Sequence, residues 1–275
     1  MVKNLKLPNK VSQLINRENK ENETALIYNK NNITIYLTYP KNRELKAKTF
    51  INDTKQELEE ILDAIQFNDA NITIRINDTG EDLKEYNTVP YGGKSSRVYS
   101  YITEKRYNIY FSLDDVSGLF HELSHVLDYD SKQTYKQLES FKNIHKQVVN
   151  VLNKIPETYY DKKQRNERIK YESSKEEVFA RTLNQHYCRT HKENIYADQL
   201  KPLPIDMVLD VLYKGVDSFK ADVDNFINSI KETDNHIEYS RTDIINTNHI
   251  NKDEYEELAK AIMELYEQNS LNIAP

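Results

Sequence analysis

No stretch of the 275-residue chain approaches the roughly 20 consecutive apolar residues that a bilayer span needs, so no membrane-crossing helix is expected. The opening residues, MVKNLKLPNKVSQLINRENK, lack the apolar core of roughly 7–15 residues that marks a secretory signal. Cysteine occurs once, at Cys188, which excludes an internal disulfide. These absences point to a protein that is cytoplasmic where it is made. Positive charge is not in excess: 38 Lys and Arg against 44 Asp and Glu leave a formal charge of −6, so nucleic acid is not an expected partner. No internal repeat is visible, and the Asn/Lys/Tyr richness reads as a compositional bias. What remains, 38% hydrophobic and 30% charged residues, describes a globular chain long enough to bury a substantial core as one large or two small domains.

Residues 1–25 read as a loose or partly helical lead-in. NITIYLTYP (Asn32 to Pro40) alternates Ile33, Ile35 and Leu37 with Thr34, Tyr36 and Thr38, the period of a half-buried strand. Leu58, Ile61, Leu62 and Ile65 then follow helical spacing, with Asp53 or Thr54 as the cap. NITIRIN (Asn71 to Asn77) returns to the strand period. The loop VPYGGKSS and two strand-like runs follow, RVYSYI (Arg97 to Ile102) and NIYFSL (Asn108 to Leu113), expected to form a hairpin. From Asp114 onward helices are predicted over residues 115–128, 132–154, 174–190, 205–232 with a break near Gly215, and 253–268. Strands first and helices after predict an α+β chain with a small strand-rich N-terminal lobe and a mainly helical C-terminal lobe, the segment around residue 120 lying between them. The expected division is 1–30 as lead-in, 31–200 as the main domain, and 201–275 as a helical extension packed on it.

The segment LFHELSHVLDYD (Leu119 to Asp130) sets His121, Glu122 and His125 into an otherwise apolar helix. Residues four apart on a helix lie on one face about 6 Å apart, so both imidazoles can address one ion, the geometry of HExxH. Zinc accepts two imidazoles and a third protein ligand and keeps a position for water. Glu122 beside it is the expected general base, passing the proton of that water to a leaving amine. Leu119, Phe120, Leu123, Val126 and Leu127 cover the other sides, Gly118 leaves space for a substrate, Asp114 or Asp115 is the expected cap, and Asp128 is placed to orient an imidazole. Two core histidines satisfied separately would be the plain alternative, but each buried polar group would then need its own partner.

The third ligand must come from elsewhere, because positions 128 and 131, where the metzincin pattern HExxHxxGxxH has its glycine and third histidine, hold Asp128 and Ser131. In YESSKEEVFARTLNQHY (Tyr171 to Tyr187), Ser174 and Glu177 have capping-box spacing, which starts a helix there. Glu177, Ala180, Arg181 and Asn184 form its polar face, and Val178, Phe179 and Leu183 its apolar one. Glu177 is the best-placed third ligand, Ala180 permits close approach to the first helix, and Arg181 is a candidate to support the carboxylate.

HELSHVLDY followed by Y-x-S-S-x-x-E-V-F-A-R-T-L-x-x-x-Y resembles the zincin-like metallopeptidase domains of phage and mobile-element proteins, and is more distantly similar to the anthrax lethal factor and Pro-Pro endopeptidase group of HExxH…E proteases. The resemblance spans roughly Ile109 to Tyr187. It implies a zincin-like fold, zinc held by His121, His125 and Glu177, Glu122 as general base, and Tyr171 as the hydroxyl that stabilises the oxyanion. Tyr171 stands six residues before Glu177, where the lethal-factor group places its tyrosine seven before. A zinc-dependent endopeptidase acting on a protein or peptide is therefore expected, with an edge strand beside the metal holding extended substrate. The competing expectation is a non-catalytic binding or virion structural protein that retains the metal site; a virion component or delivered effector is the corresponding setting.

Other motifs carry less. His186, Cys188 and His191 in HYCRTH are scattered around a helix and read as ordinary surface residues rather than a second metal site. Cys188 has no neighbour that would make it a nucleophile. VPYGGKSS lacks the GxxxxGK[ST] spacing of a phosphate loop and reads as a loop over the cleft. The tyrosine-rich strands read as packing rather than base-stacking surfaces.

Overall fold

A computed structural model describes residues 22–65, 67, 70–78, 99–103, 106–113, 116–132, 134–155, 165–190, 194–197, 203–231 and 252–270. The VPYGGKSS loop, Asp114, Asp115 and His191 lie outside the described residues. The chain is α+β, with its strands before residue 113 and its helices mostly after, and it divides into two units: Met1–Gln56 with Asn71–Val116, and Glu57–Ala70 with Ser117–Pro275.

The first unit holds a five-stranded sheet built from β1 (Asn22–Lys30), β2 (Ile33–Pro40), β3 (Asn71–Asn77), β4 (Tyr99–Thr103) and β5 (Arg106–Ser112), in the order β1-β2-β3-β5-β4. β2, β3 and β5 run parallel, and β1 and β4 flank them antiparallel. Ile35 pairs with Ile74, which pairs with Ile109; Leu37 pairs with Ile76, which pairs with Phe111. All six are at most 2% exposed, so the alternation read from the sequence lines one face of the sheet with branched and aromatic side chains. The β4–β5 hairpin is present as expected. β5 is paired on both sides, so NIYFSL is an internal strand; the sheet edges are β1 and β4.

The end of the expected loose or partly helical lead-in is the strand β1, Asn22–Lys30; residues 1–21 lie outside the described residues. β1 closes onto β2 through Asn31 and Asn32, whose φ values of 54° and 62° are the left-handed pair that a tight two-residue hairpin turn demands and that asparagine tolerates best after glycine. As an edge strand it buries no residue completely and leaves Leu26 57% exposed, so it shows no apolar alternation to read. A second element unforeseen is α1 (Glu44–Asp53), which follows β2 with only Ala47 and Ile51 buried. α2 (Lys55–Ala64) carries the expected Leu58, Ile61 and Leu62 stripe.

The second unit contains α3 (Leu119–Asp130), α4 (Glu139–Leu152), α5 (Arg165–Glu172), α6 (Lys175–Thr190), α7 (Pro204–Gly215), α8 (Asp217–Lys231) and α9 (Lys252–Ser270). α5 is an addition to the predicted set: it buries only Ile169 and Glu172, too few apolar positions to announce a helix. The break between α7 and α8 falls at Val216, beside the expected glycine. α3 begins at Leu119, later than expected, with Gly118 as its cap and no side chain bonding the first turn. The Phe120 amide instead donates to the Tyr196 carbonyl at 3.0 Å, which satisfies one of the orphan donors of the helix start. α3 packs along α6, with Phe120 and Tyr187 stacked at 4.3 Å. Phe141 of α4, Phe179 of α6 and Phe226 of α8 meet pairwise with centroids 5.4–5.9 Å apart, an aromatic cluster that ties α6 to α4 and α8.

Candidate metal centre

α3 is buried on nearly all sides, and its polar exceptions are grouped. His121 and His125, 5% and 9% exposed, stand four residues apart with their ring planes 83° apart and their Nε2 atoms separated by 3.1 Å. α6 brings Glu177, 4% exposed, against both: Oε1 lies 3.3 Å from His125 Nε2 and Oε2 lies 3.6 Å from His121 Nε2. Ser174 caps α6 by accepting the Glu177 amide at 3.3 Å, as the spacing predicts, which leaves the Glu177 carboxylate to face the imidazoles.

Donors held at about 2.0–2.1 Å by a tetrahedral ion stand roughly 3.4 Å from one another. The separations of 3.1, 3.3 and 3.6 Å bracket that value, so two imidazole nitrogens and a carboxylate converge as the ligands of one cation would. His121, Glu122 and His125 together form a group, with ligand atoms within 4.8 Å of one another, that could hold a metal ion. Within it Glu122 is the outlying member: its Oε1 is 3.9 Å from His121 Nε2, farther than either contact made by Glu177. Glu122 thus stands to one side of the point where the two imidazoles and the Glu177 carboxylate approach one another.

The electrostatics agree with this division. Burial drives the His121 pKa well below its ordinary value, so the ring is neutral with a lone pair to give. Burial pushes the Glu177 carboxyl upward, but the hydrogen bond from His125 and the Arg181 guanidinium pull against it, and the group is held well below the usual carboxylate range. His125 is raised: burial opposes its charge, and the bond to Glu177 together with the Glu122 and Glu177 charges prevails. Burial, opposed only in part by the His125 and Arg181 charges and aided by the Glu177 charge, pushes Glu122 up to about 7, the range of a proton acceptor at neutral pH.

Around these groups the structure brings in Arg181, whose Nε donates to Glu177 Oε2 at 3.2 Å and whose Nη1 donates to Asp206 Oδ2 at 2.7 Å. Tyr171, at the end of α5 and 42% exposed as a whole residue, hydrogen-bonds Glu177; its phenol is raised, first by burial and then by the Glu177 charge. Asp128 differs from expectation. Its carboxylate is 2.6 Å from Lys136 Nζ, and Lys136 also reaches Glu176 Oε1 at 2.7 Å. The acid one turn beyond His125 therefore joins a bridge between α3 and α6, buried at Asp128 and Lys136 and half-exposed at Glu176, rather than orienting an imidazole. Glu176 is occupied by that bridge, while Glu177, one position on, points to the histidines. His121 Nδ1 is buried without a hydrogen-bond partner among the described residues, an atom with capacity for a further contact.

Lys136 and Asp206 were not foreseen as neighbours of the site. Only Asp206 carried a signal, an acid in the first turn of a helix opened by Pro204, and that signal speaks to capping rather than to Arg181. His186 is a correction: at 9% exposure it is buried in α6, not a surface residue. Among the described residues His186 and Cys188 join no metal-capable group.

The chain is thus a mixed α+β protein with one His-Glu-His group, among its described residues, able to hold a metal ion. Comparisons with protein-family models, curated proteins and solved structures find no match. No helix among the described residues is long and apolar enough to cross a membrane.

Proposed function

We propose that the chain is a zinc-dependent endopeptidase of the HExxH…E type. The observation that carries this is the convergence of His121 Nε2, His125 Nε2 and the Glu177 carboxylate at 3.1–3.6 Å, with a fourth titratable group, Glu122, adjacent to the convergence but not part of it. A purely structural site has no use for that fourth group, whereas hydrolysis has. Two imidazoles and one carboxylate are a donor set that suits zinc, with a position left for water. Bound there, zinc would supply Lewis acidity, polarising a peptide carbonyl and acidifying a water.

Glu122 takes the proton of the attacking water and carries it to the leaving amine, a task that suits a carboxyl pushed up to about 7. Tyr171, beside Glu177, donates its hydroxyl to the oxygen that gains negative charge. Arg181 fixes the Glu177 carboxylate, so its orientation is set before any ligand arrives. The substrate is a protein or peptide.

The test combines metal analysis with cleavage. Wild type and Glu122→Gln should each hold close to one equivalent of zinc, and Glu177→Ala should lose it. Incubation with a lysate, followed by identification of new peptide N-termini, should give products with wild type, and Glu122→Gln should reduce their rate by on the order of a thousandfold or more. Full zinc in Glu177→Ala, or equal cleavage by wild type and Glu122→Gln, would sink the assignment.

A further inference from the structure

We propose that Asp206 is a positioning residue of the metal centre, so that the first turn of α7 tunes the affinity of a site whose ligands lie on α3 and α6. The proposal rests on Glu177 being a ligand. Arg181 is 5% exposed and spans two buried acids, holding Glu177 Oε2 with Nε at 3.2 Å and Asp206 Oδ2 with Nη1 at 2.7 Å. The same Asp206 oxygen accepts the Leu203 amide at 2.7 Å, which fixes the carboxylate at the start of α7. Asp206 itself is 4% exposed, so the three charged groups form a row, Glu177, Arg181, Asp206, shut away from water.

The charge order gives the row its effect. A guanidinium in contact with a ligand carboxylate both repels a dication and competes with it for the carboxylate oxygens. Asp206 offsets both: its negative charge balances Arg181, and it draws Nη1 away from Glu177. Without it, more of the Arg181 charge would fall on Glu177, in a buried setting where screening by solvent is weak. Asp206 thus lets Arg181 orient Glu177 while sharing its charge.

A second carboxylate meets the same helix start and provides the comparison. Glu172, fully buried, accepts the Ile205 amide with Oε2 at 3.0 Å and Arg168 Nε with Oε1 at 2.7 Å. Glu172 also feels the Arg181 charge, whereas Asp206 accepts a hydrogen bond from Arg181 directly; if α7 needed only anchoring, the two losses would act alike, and if Asp206 balances Arg181, its loss acts more strongly on the metal.

The experiment measures zinc affinity of the full chain by competition with a chromogenic chelator, alongside the urea midpoint of the chelator-treated protein. Asp206→Asn should weaken zinc binding on the order of tenfold to a hundredfold, the range typical for outer partners of metal ligands. Glu172→Gln should lower the urea midpoint while leaving zinc affinity within about threefold of wild type. The double variant Arg181→Gln/Asp206→Asn removes the unbalanced cation and should bind zinc more tightly than Asp206→Asn, so a poorly folded single variant does not decide the matter. Wild-type affinity in Asp206→Asn, or equal losses of affinity in Asp206→Asn and Glu172→Gln, overturns the role of Asp206 while Glu177→Ala still loses zinc. Retention of zinc by Glu177→Ala overturns the ligand assignment and this inference together.

Discussion

Replacing Glu122 by Gln in the chelator-treated protein should stabilise it at pH 8 and leave it nearly unchanged at pH 4.5. The carboxyl has an ordinary pKa of 4.5 and is pushed up to about 7 by burial, partly opposed by His125. Between those values the folded protein keeps a proton that the unfolded chain has released, so folded stability falls as pH rises through the window. Below 4.5 both states are protonated and there is no penalty; above 7 both are ionised and the penalty is complete. Each pH unit across the window is worth about 1.4 kcal/mol, so the full penalty is about 3 kcal/mol. Glutamine has nearly the same shape and no charge to desolvate, and it escapes this cost. Urea unfolding followed by far-ultraviolet circular dichroism, at pH 5 and pH 8 for both proteins, reads the difference directly. A gap that is the same at both pH values, or a Glu122→Gln protein that is less stable at pH 8, would refute the placement of a largely desolvated carboxyl beside the histidines. Addition of zinc should narrow the gap at pH 8, since a nearby dication favours the ionised form.

Three further perturbations follow from the surroundings of the site. Lys136→Met should destabilise the protein by about 3–5 kcal/mol, measured by urea unfolding at neutral pH, because it strands the fully buried Asp128 without its cation; a loss below about 1 kcal/mol would show that Asp128 does not depend on Lys136. Glu176→Ala should retain zinc at wild-type stoichiometry while losing stability, since its carboxylate is bonded to Lys136 and not to the histidines; loss of zinc would move the third ligand one residue back. Lys132→Gly should raise stability by about 0.5–1 kcal/mol, because Lys132 ends α3 at φ 54°, a left-handed conformation that costs a side-chain-bearing residue and not glycine; an unchanged or lower urea midpoint would count against it.

Local periodicity made much of the fold legible. The alternation of Ile33, Ile35 and Leu37 is enough for a strand, and the i, i+4 spacing of His121 and His125 is enough to put two imidazoles on one helix face, because both follow from the repeat of a single element. Elements with little buried apolar surface stayed hidden. β1 lies at an edge, α1 buries two side chains and α5 buries one isoleucine and a glutamate, so none repeats an apolar pattern. The Asn31-Asn32 pair was the one local sign of the first hairpin, and it needs the flanking strand to be recognised as a turn.

By itself the sequence determined the pairing of two histidines with a neighbouring acid, the cap at Ser174 and the succession of strands and helices, all properties of residues within a few positions of one another. Only the tertiary structure decided which partners those charged groups take. Lys136 meets Glu176 across 40 residues and Arg181 meets Asp206 across 25, and neither pairing repeats with a helical or strand period. A buried charge must find a counter-charge wherever packing offers one, so Asp128 is claimed by a lysine from the following turn, and Arg181 is shared between a candidate ligand and the start of a later helix.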